Sequence, residues 1–251
     1  MKIIGLNGSP RRKNSRTGQL VNKVLESAAA KGARTEFLDI MKLKIKPCTA
    51  CDKCHKTGYC VQKDDFNQTY EKIMSADGLV LGSPVYIYQV TAQLKNWIDR
   101  LANTIHCLRF LDKYGAVVVT AGGSGEKETA DYMEKILQYA GMQTAGRLAC
   151  LIDIDGLLED DSPLLNEANN LGHSLYCAIR KNKYLPVRSK KSNSAKSTSG
   201  ALCLNGKKSG AGNIITGKKK AGFKTITFQP RFFISRKTTS AISHIFGHYF
   251  L

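Results

Sequence analysis

The sequence predicts an α/β fold in which helices cover both faces of a five-stranded parallel sheet. Two observations lead to this prediction. Short apolar runs alternate five times with segments that carry apolar residues at helical spacing, and such alternation requires crossover helices. The chain also has 251 residues with 42% hydrophobic content, which is enough for one substantial core and makes a single folded domain the default.

The first half of the chain supplies two strands and two helices. The apolar run 2–8 ends in glycine and is typical of a buried strand. Segment 15–30 has apolar residues at helical spacing, and Gly32 is placed to end this helix. Residues 33–40 alternate as a second strand. Segment 64–77 is predicted as a short helix, which either of its two leading aspartates can cap.

The second half continues the alternation. A third strand at 78–86 runs into a Gly-Ser-Pro turn, and an amphipathic helix follows at 91–102. The remaining elements are a strand at 114–123 with a glycine-rich loop, a helix at 126–141, a strand at 143–152 and a helix at 162–182. Right-handed crossovers leave few topologies, and for five strands the flavodoxin-like order 2-1-3-4-5 is the leading choice.

Basic residues are concentrated near the end of the chain. Of 38 Lys and Arg residues, 13 lie in 188–251, whereas all 20 Asp and Glu residues come earlier. Residues 1–187 therefore hold 25 basic against 20 acidic residues, a net +5 out of +18 for the whole chain. The charge thus belongs to a terminal segment and does not indicate a domain that reads nucleic acid.

The alternation stops near residue 185, so we divide the chain there. Residues 1–185 form the predicted domain, and 186–251 are rich in Ser, Lys and Gly with no acidic residue. Such a segment buries too little apolar area to offset its ordering entropy, so we expect a poorly ordered basic tail. Two alternatives are an extension attracted to polyanions or membranes, and an end that is not native coding sequence.

No apolar run has membrane-spanning length, and the opening residues MKIIGLNGSP are too short for a signal peptide. We therefore expect a cytoplasmic protein with no membrane span. Thiols stay reduced in that compartment, so clustered cysteines indicate a metal, a cluster or redox chemistry rather than structural disulfides.

The loop NGSPRRKNSRTG (7–18) follows the first strand and opens the first helix. It is neither a Walker loop nor a G-x-G-x-x-G motif. It offers hydroxyl groups, arginines and the amides of a helix N-terminus, which together suit a phosphate monoester. The alternative is an ordinary polar turn with a serine cap. The position of this loop after the first of five strands favours the phosphate site.

Two more loops lie at the carboxyl ends of strands, at 83–90 and 121–126. In the order 2-1-3-4-5, the switch point between the first and third strands is where a ligand is expected. Pro84 and Tyr86 can form a stiff wall against a flat ring, and the glycines of the second loop let backbone amides approach it. Tyr86 or Tyr88 can alternatively be a core aromatic.

Four of the eight cysteines lie within the thirteen residues CTACDKCHKTGYC (48–60), at the spacing C-x2-C-x2-C-x5-C. A zinc ribbon separates its two C-x2-C pairs by a dozen or more residues, whereas three overlapping cysteines suit a cubane. A [4Fe–4S] cluster is the leading interpretation. Bound zinc, or a loop without metal whose thiols pack or form a reversible disulfide, are the alternatives. We interpret His55 as solvent-facing or as a donor beside the ligands.

The motifs GSPRRKNSRTG, ADGLVLGSPVY with QLKNWIDR, and VVVTAGGSGEKET resemble those of the NADPH-dependent FMN reductase group of flavodoxin-like proteins. The cysteine segment resembles that of its iron–sulfur flavoprotein branch. The resemblance covers about residues 1–183. It implies an FMN phosphate held by Ser9, Arg11, Ser15 and Thr17, a flavin ring near Pro84, Val85, Tyr86, Thr120, Ala121, Gly122 and Gly123, and cluster ligands Cys48, Cys51, Cys54 and Cys60.

The resemblance implies an oxidoreductase that transfers electrons between a two-electron donor such as NAD(P)H and one-electron carriers such as ferredoxin. No catalytic acid or base is expected, because the cofactors carry the chemistry. Homodimers or larger homo-oligomers are also implied. A cluster-free NAD(P)H-dependent FMN or quinone reductase is the first alternative. A passive flavodoxin-like electron carrier is the second.

Overall fold

The computed structural model describes residues 1–152 and 157–182. Five parallel strands form one sheet in the order β2-β1-β3-β4-β5, which confirms the predicted topology. Every neighbouring pair runs parallel, and only the β4–β5 pair shows a register shift, at Gly115/Ala116. The strands are β1 (Lys2–Asn7), β2 (Arg34–Asp39), β3 (Gly78–Pro84), β4 (Tyr114–Ala121) and β5 (Gln143–Leu151).

Seven α-helices are present in the described ranges, two more than the sequence predicts. They are α1 (Arg16–Ala29), α2 (Lys53–Thr57), α3 (Asp65–Met74), α4 (Ala92–Asp99), α5 (Ala102–His106), α6 (Glu126–Tyr139) and α7 (Pro163–Arg180). The additional helices are short. One forms inside the cysteine segment, and the other arises because the helix predicted over 91–102 ends at Asp99. Single 3-10 turns occupy Arg12–Asn14 and Ile40–Lys42.

Two apolar clusters lie on opposite faces of the sheet, as expected for a doubly wound fold. Successive residues of a strand point to opposite faces, so Leu79 and Leu81 join the cluster of α3, α4 and α6, whereas Val80 joins that of α1 and α7. Strand β4 is buried along its whole length. The central strands therefore have no solvent-facing side.

Glycine allows α1 to lie close against the sheet. A Cβ atom on Gly82 would come 2.5 Å from Cγ2 of Val21, and one on Gly5 would come 2.7 Å from Cγ1 of the same residue. Both distances are shorter than carbon atoms tolerate. The absence of side chains at these positions thus brings the start of α1 close to the carboxyl ends of β1 and β3.

The predicted tail at 186–251 lies outside the described residues, and so does the division of the chain at 185. Within 1–152 and 157–182, no helix combines the length and apolar content that crossing a membrane requires.

Candidate functional site

The loop after β1 is fixed to the neighbouring strand and helix. The Gly8 amide donates to the Gly82 carbonyl at 2.7 Å, and the Thr91 hydroxyl donates to the Gly8 carbonyl at 2.6 Å. The Ser9 amide donates to Oδ1 of Asn7 at 3.2 Å. These bonds give partners to backbone groups that would otherwise be buried without them, and they set the path of the loop.

The N-terminus of α1 opens into the space beside this loop. Ser15 is its N-cap, and the Ser15 hydroxyl accepts a hydrogen bond from the Gly18 amide at 2.8 Å. The cap leaves the other first-turn amides of α1 without partners in the helix, and the helix dipole adds positive potential there. This end of α1 can therefore hold an anion.

The opposite wall comes from the segment after β3. The Val85 amide donates to the Thr120 carbonyl at 2.8 Å, which extends the β3–β4 ladder. Tyr86 and Gln89 then exchange both backbone hydrogen bonds around Ile87 and Tyr88, whose φ angles are +46° and +59°. Two positive φ angles in a two-residue turn are the pattern of type I′.

The aromatic residues of this turn do not belong to the core. Tyr86 is 47% exposed and Tyr88 is 61% exposed, so the alternative that either is a core aromatic is wrong. Between them Ile87 is 94% exposed. The Ser124 hydroxyl donates to the Tyr88 hydroxyl at 3.3 Å, which joins the turn to the glycine-rich loop after β4.

A cavity of about 140 Å³ lies between these segments. Nine of the eleven residues implied by the resemblance to flavoproteins line it. The two that do not are Ser15, which caps α1, and Gly123. The lining residues are Ser9, Arg11, Arg16, Thr17, Pro84, Val85, Tyr86, Thr120, Ala121, Gly122 and Ile152. Two of these, Arg16 and Ile152, were not in the expected set.

Arg16 is one of the arginines that the sequence offers in the loop 7–18, although the resemblance did not imply it, whereas Ile152 has no sequence signal. Arg16 is the first residue of α1, where a side chain beside the anion-binding amides is expected to face the same ligand. Ile152 follows β5, and its amide donates to the Ala121 carbonyl at 2.8 Å, so it continues the sheet beside the glycine-rich loop.

The lining of this cavity is basic at one end and apolar at the other. Arg11 and Arg16 lie on the phosphate-loop side, and no carboxylate is among its lining residues in the described ranges. Val85 and Ile152 supply apolar surface on the other side. An anionic group joined to a flat, partly apolar ring fits this distribution.

The cysteine segment folds as an irregular loop after β2 with one short helix. Ala50 and Asp52 have φ angles of +49° and +55°, and Gly58 ends α2 with a φ of +82°. Gly58 therefore lets the chain turn between Cys54 and Cys60. The Arg109 guanidinium donates to the Gly58 carbonyl at 2.5 Å, which fixes this turn to the residues after α5.

All four cysteines line one cavity of about 210 Å³, together with His55 and Arg100. Cys48 and Cys51 are exposed, whereas Cys54 and Cys60 are partly buried. Burial raises the pKa of Cys54, and the Lys53 backbone amide, followed by the Thr49 side chain, lowers the pKa of Cys51. In the described part of the chain, no three His, Cys, Asp or Glu side chains are arranged to hold one metal ion.

An ion pair lies buried beside this cavity. Arg100 Nη1 contacts Oδ2 of Asp64, and the two side chains are only 0% and 2% exposed. Asp64 also caps α3, as the sequence predicts, by accepting from the Phe66 amide at 3.1 Å. The pairing with Arg100 was not predicted, because 36 positions separate the two residues. Arg100 lines the cavity that the four cysteines line, and Asp64 is its ion-pair partner.

Helix α4 connects the two cavities. Its N-cap Thr91 contacts the loop after β1 through Gly8, and Arg100 at its other end lines the cysteine cavity. At a rise of about 1.5 Å per residue, a helix spanning these two positions is about 14 Å long. The two cavities therefore lie about one short helix apart.

Comparisons with known proteins agree with this geometry. Residues 1–155 match the family model described as NADPH-dependent FMN reductase. An iron–sulfur flavoprotein of Archaeoglobus fulgidus is 34% identical over 176 residues, which cover 70% of this chain and 79% of the relative. Another, from Methanosarcina thermophila, is 34% identical over 152 residues, covering 58% of this chain and 78% of the relative.

Solved structures share the fold at low identity. A flavone reductase superposes with a TM-score of 0.60 at 18% identity, over 74% of this chain and 65% of its own. An NADH:FMN oxidoreductase superposes with a TM-score of 0.51 at 20% identity, over 70% of this chain and 89% of its own. Both likenesses concern the architecture alone.

Proposed function

Because the chain belongs to the NADPH-dependent FMN reductase family, in its iron–sulfur flavoprotein branch, we propose that it passes electrons from NAD(P)H to one-electron carriers through FMN and a [4Fe–4S] cluster. Family membership makes it an FMN reductase-like flavoprotein oxidoreductase. One observation carries the finer proposal: a basic cavity at the strand ends and a cavity lined by four cysteines occur in one domain.

The phosphate of FMN is assigned to the loop after β1. Ser9 and Thr17 supply hydroxyl groups, and Arg11 supplies a cation at the rim. Ser15 belongs to the same assignment through the cap that orients the α1 amides. Arg16 is added because it lines the cavity and is buried, so its charge acts on an anion with little screening.

The flavin ring is assigned to the space between two short segments. Residues 84–86 form one side, where proline and the ladder bond of Val85 make the backbone stiff. Residues 120–123 form the other, with two glycines that allow close approach of the backbone. Ile152 and Val85 exclude water from the ring edge.

The four cysteines are assigned as ligands of a [4Fe–4S] cluster rather than of zinc. Zinc in a four-cysteine site requires all sulfur atoms about 2.3 Å from one point. The four cysteines lie around one cavity of about 210 Å³, and three of them overlap in a C-x2-C-x2-C run. A cubane, in which iron and sulfide alternate at the corners, suits thiolates that are spread around a volume. The ligands are Cys48, Cys51, Cys54 and Cys60.

The residues of the chain bind and orient these groups and are assigned no proton transfer. When bound, FMN accepts a hydride as an electron pair and releases electrons singly, whereas a [4Fe–4S] cluster carries one electron at a time. One NAD(P)H thus reduces two carrier molecules and yields one proton. Helix α4 keeps the two cofactor sites at a fixed separation.

Charge around the cysteine segment supports an acidic carrier, such as a ferredoxin, as the partner. Six lysines between 42 and 63 are exposed, and the one exposed carboxylate in that range belongs to Asp52. Complementary charge speeds the encounter of two proteins. The lysines are Lys42, Lys44, Lys46, Lys53, Lys56 and Lys63.

Two further parts of the proposal concern assembly and location. The exposed apolar turn at 86–88 supports a homodimer or higher homo-oligomer, since such surface is commonly covered in an assembly. Clustered thiols that hold a cluster support a cytoplasmic location, where cysteines stay reduced. The pattern of lysines does not resemble a surface for specific nucleic-acid binding, and none is proposed.

Anaerobic purification followed by three measurements tests the proposal. We expect bound FMN, about four iron and four sulfide per chain, and rapid loss of flavin absorbance on mixing with NADPH in a stopped-flow instrument. Flavin without iron or sulfide would support the cluster-free reductase instead. Flavin that NADPH and NADH both fail to reduce would support the passive carrier, and a protein that binds no FMN would overturn the proposal.

A further inference from the structure

A buried cation lies against the cysteine cavity. Arg100 directly follows the last turn of α4, and its side chain is 0% exposed. It lines the same cavity as the four cysteines. Burying a charged group is costly unless a countercharge and hydrogen bonds replace the lost water, so each donor of this guanidinium requires a partner.

The partners in the described residues satisfy only part of the guanidinium. Nη1 donates to the Asp64 carboxylate and to the Lys46 carbonyl at 3.3 Å. Nε and Nη2 are buried and have no hydrogen-bond partner within 1–152 and 157–182. Asp64 also accepts from the Lys46 amide at 2.9 Å and from the Phe66 amide. Asp64 thus balances the charge of Arg100 but leaves two of its nitrogens unused.

Cys60 lies beside these unused donors. It lines a second, smaller cavity together with Arg100, and Cys54, Phe66 and Asn67 also line that cavity. One face of the guanidinium lies over the Phe66 ring, 4.3 Å from its centroid. The Asn67 side-chain amide donates to the Cys60 carbonyl at 2.7 Å, so the backbone of this cysteine is held beside the arginine.

We propose that Arg100 is a positioning residue that donates N–H···S hydrogen bonds to the Cys60 sulfur when that sulfur binds iron, and that it raises the reduction potential of the cluster. This inference rests on the proposed function, in which Cys60 is a ligand. Reduction adds negative charge to the cluster and its thiolates, so N–H donors of the guanidinium that bond to the Cys60 sulfur favour the reduced state even though Asp64 balances the charge of Arg100. Water does not compensate for it, because Arg100 is excluded from solvent.

The decisive variant replaces the ion pair of Arg100 and Asp64 with two neutral side chains. Replacing Arg100 alone would leave the Asp64 carboxylate buried without a countercharge, which destabilises proteins strongly. The double variant Asp64→Asn/Arg100→Gln removes both charges and keeps similar side-chain size. Wild type and variant are loaded anaerobically with ferrous iron and sulfide, assayed for both elements, and titrated with dithionite while the cluster is monitored by electron paramagnetic resonance.

We expect the double variant to load and its cluster to be harder to reduce. The equilibrium constant for one-electron reduction should fall at least about tenfold, which corresponds to a reduction potential lower by about 59 mV. Lys53→Gln is the matched control, since it removes an exposed cation that lies between Cys51 and Cys54 in the sequence. Solvent screens that charge, so the control should change the constant by less than about threefold.

A second measurement detects the hydrogen bond itself. The Fe–S stretching frequencies in resonance Raman spectra should shift between H2O and D2O in wild type and shift less in the double variant. Arg100→Lys keeps a cation beside Asp64 but loses the planar donor fork, so it should also lose part of the shift. This variant decides the question if the neutral pair does not fold.

The outcomes separate this inference from the proposed function. A wild-type chain that takes up neither iron nor sulfide overturns the cluster and the role of Arg100 together. A loaded wild type whose reduction potential matches that of the double variant overturns the role of Arg100 alone. A shift for Lys53→Gln as large as that of the double variant also overturns it, because general charge would then explain the effect.

Discussion

Thr17 in α1 and Thr120 in β4, 103 positions apart in the chain, share a hydrogen bond of 2.7 Å between their hydroxyl oxygens. Both side chains are buried, and both line the cavity assigned to FMN. The bond joins the phosphate-binding side of this cavity to the side assigned to the flavin ring. Its removal should therefore affect both the stability of the chain and the shape of the site.

Thr17→Val should lower the unfolding free energy of the apo-protein by about 1–3 kcal/mol, because it leaves the buried Thr120 hydroxyl without a partner. Thr17→Val/Thr120→Val should cost less than the sum of the single changes. Denaturant titrations of all three variants give the coupling energy. Thr129→Val is the control: its buried hydroxyl has no partner among the described residues, so this change should be neutral or stabilising. Additive single effects would contradict the prediction.

Two glycines should separate damage to the fold from damage to the ligand site. A Cβ on Gly8 would lie 2.9 Å from the Gly82 carbonyl oxygen, whereas one on Gly123 would meet nothing within 4 Å. Gly8→Ala should therefore cost about 1–3 kcal/mol of stability and weaken FMN binding. Gly123→Ala should change the stability of the apo-protein by less than about 0.5 kcal/mol.

Gly123→Ala should nevertheless weaken FMN binding, since it adds a methyl group to the loop assigned to the flavin ring, although Gly123 does not line the cavity itself. Quenching of flavin fluorescence on titration with the apo-protein measures the dissociation constant for each variant. Unchanged affinity in Gly123→Ala would remove this residue from the assigned site.

Acid stability should depend on Glu36. A hydrogen bond from Lys72, followed by one from Lys2, holds the pKa of Glu36 below its ordinary value of 4.5. The folded state thus binds this proton less readily than the unfolded state, so the stabilisation is present above pH 4.5 and is lost as the pH falls through the lowered folded pKa. Glu36→Gln should flatten the pH dependence of unfolding in that window.

Lys72→Met should flatten the same curve, since it removes the partner with the largest influence on Glu36. Urea titrations between pH 6 and pH 3 supply the unfolding free energies. A steep acid loss that persists in both variants would assign the pH dependence to other carboxylates.

Replacing Ile87 and Tyr88 with residues that suit their turn should stabilise the folded protein. Positive φ angles at residues other than glycine or asparagine are strained, by about 1–3 kcal/mol per residue in the least favourable cases. Ile87→Asn/Tyr88→Gly supplies the residues that a type I′ turn favours, so the apo-protein should unfold at higher denaturant concentration.

The same double variant tests the proposed assembly. If the exposed turn contacts a second copy, light scattering coupled to size exclusion should show a smaller species than wild type at equal concentration. A stabilised variant with the wild-type mass would place the subunit contact elsewhere.

Electron transfer should depend on the sign of the acceptor's charge. The reduced protein should react with ferricyanide faster than the difference in reduction potential alone predicts, because the exposed lysines attract this anion. It should react with hexaammineruthenium(III) more slowly than that difference predicts, because the same lysines repel this cation. Added salt should slow the first reaction and speed the second. Lys44→Glu/Lys46→Glu should weaken both trends. Lys31→Glu/Lys127→Glu should not, because these exposed lysines lie in the turn after α1 and on α6, outside the cysteine segment.

The fold could be predicted because its signals are local. Each strand is a separate apolar run, and the order of the strands follows from general rules on crossovers. The break after Asp99 could not be predicted, since 91–102 keeps helical spacing throughout. The helix ends directly before Arg100, whose side chain pairs with Asp64 in a distant part of the chain.

Much of the candidate site could also be predicted from the sequence. Spacing indicated the cysteine group, and position after strands indicated most of the FMN cavity. The pairing of Thr17 with Thr120 had no signal, because hydroxyl groups at helix starts and strand ends are common. Ile152 was missed because it is an ordinary apolar residue, and the strand order does not say whether the residue after β5 lines the cavity.

Helix α4 is capped at one end by Thr91, which contacts the loop after β1, and at the other by Arg100, which lines the cysteine cavity. The cysteine segment is consequently not a detachable module. Residues 48–60 could be transplanted into a related protein whose corresponding helix lacks a guanidinium at its end and a carboxylate that pairs with it. Such a graft would transfer the ligands without the surroundings that hold them. A successful graft should require positions 64 and 100 as well.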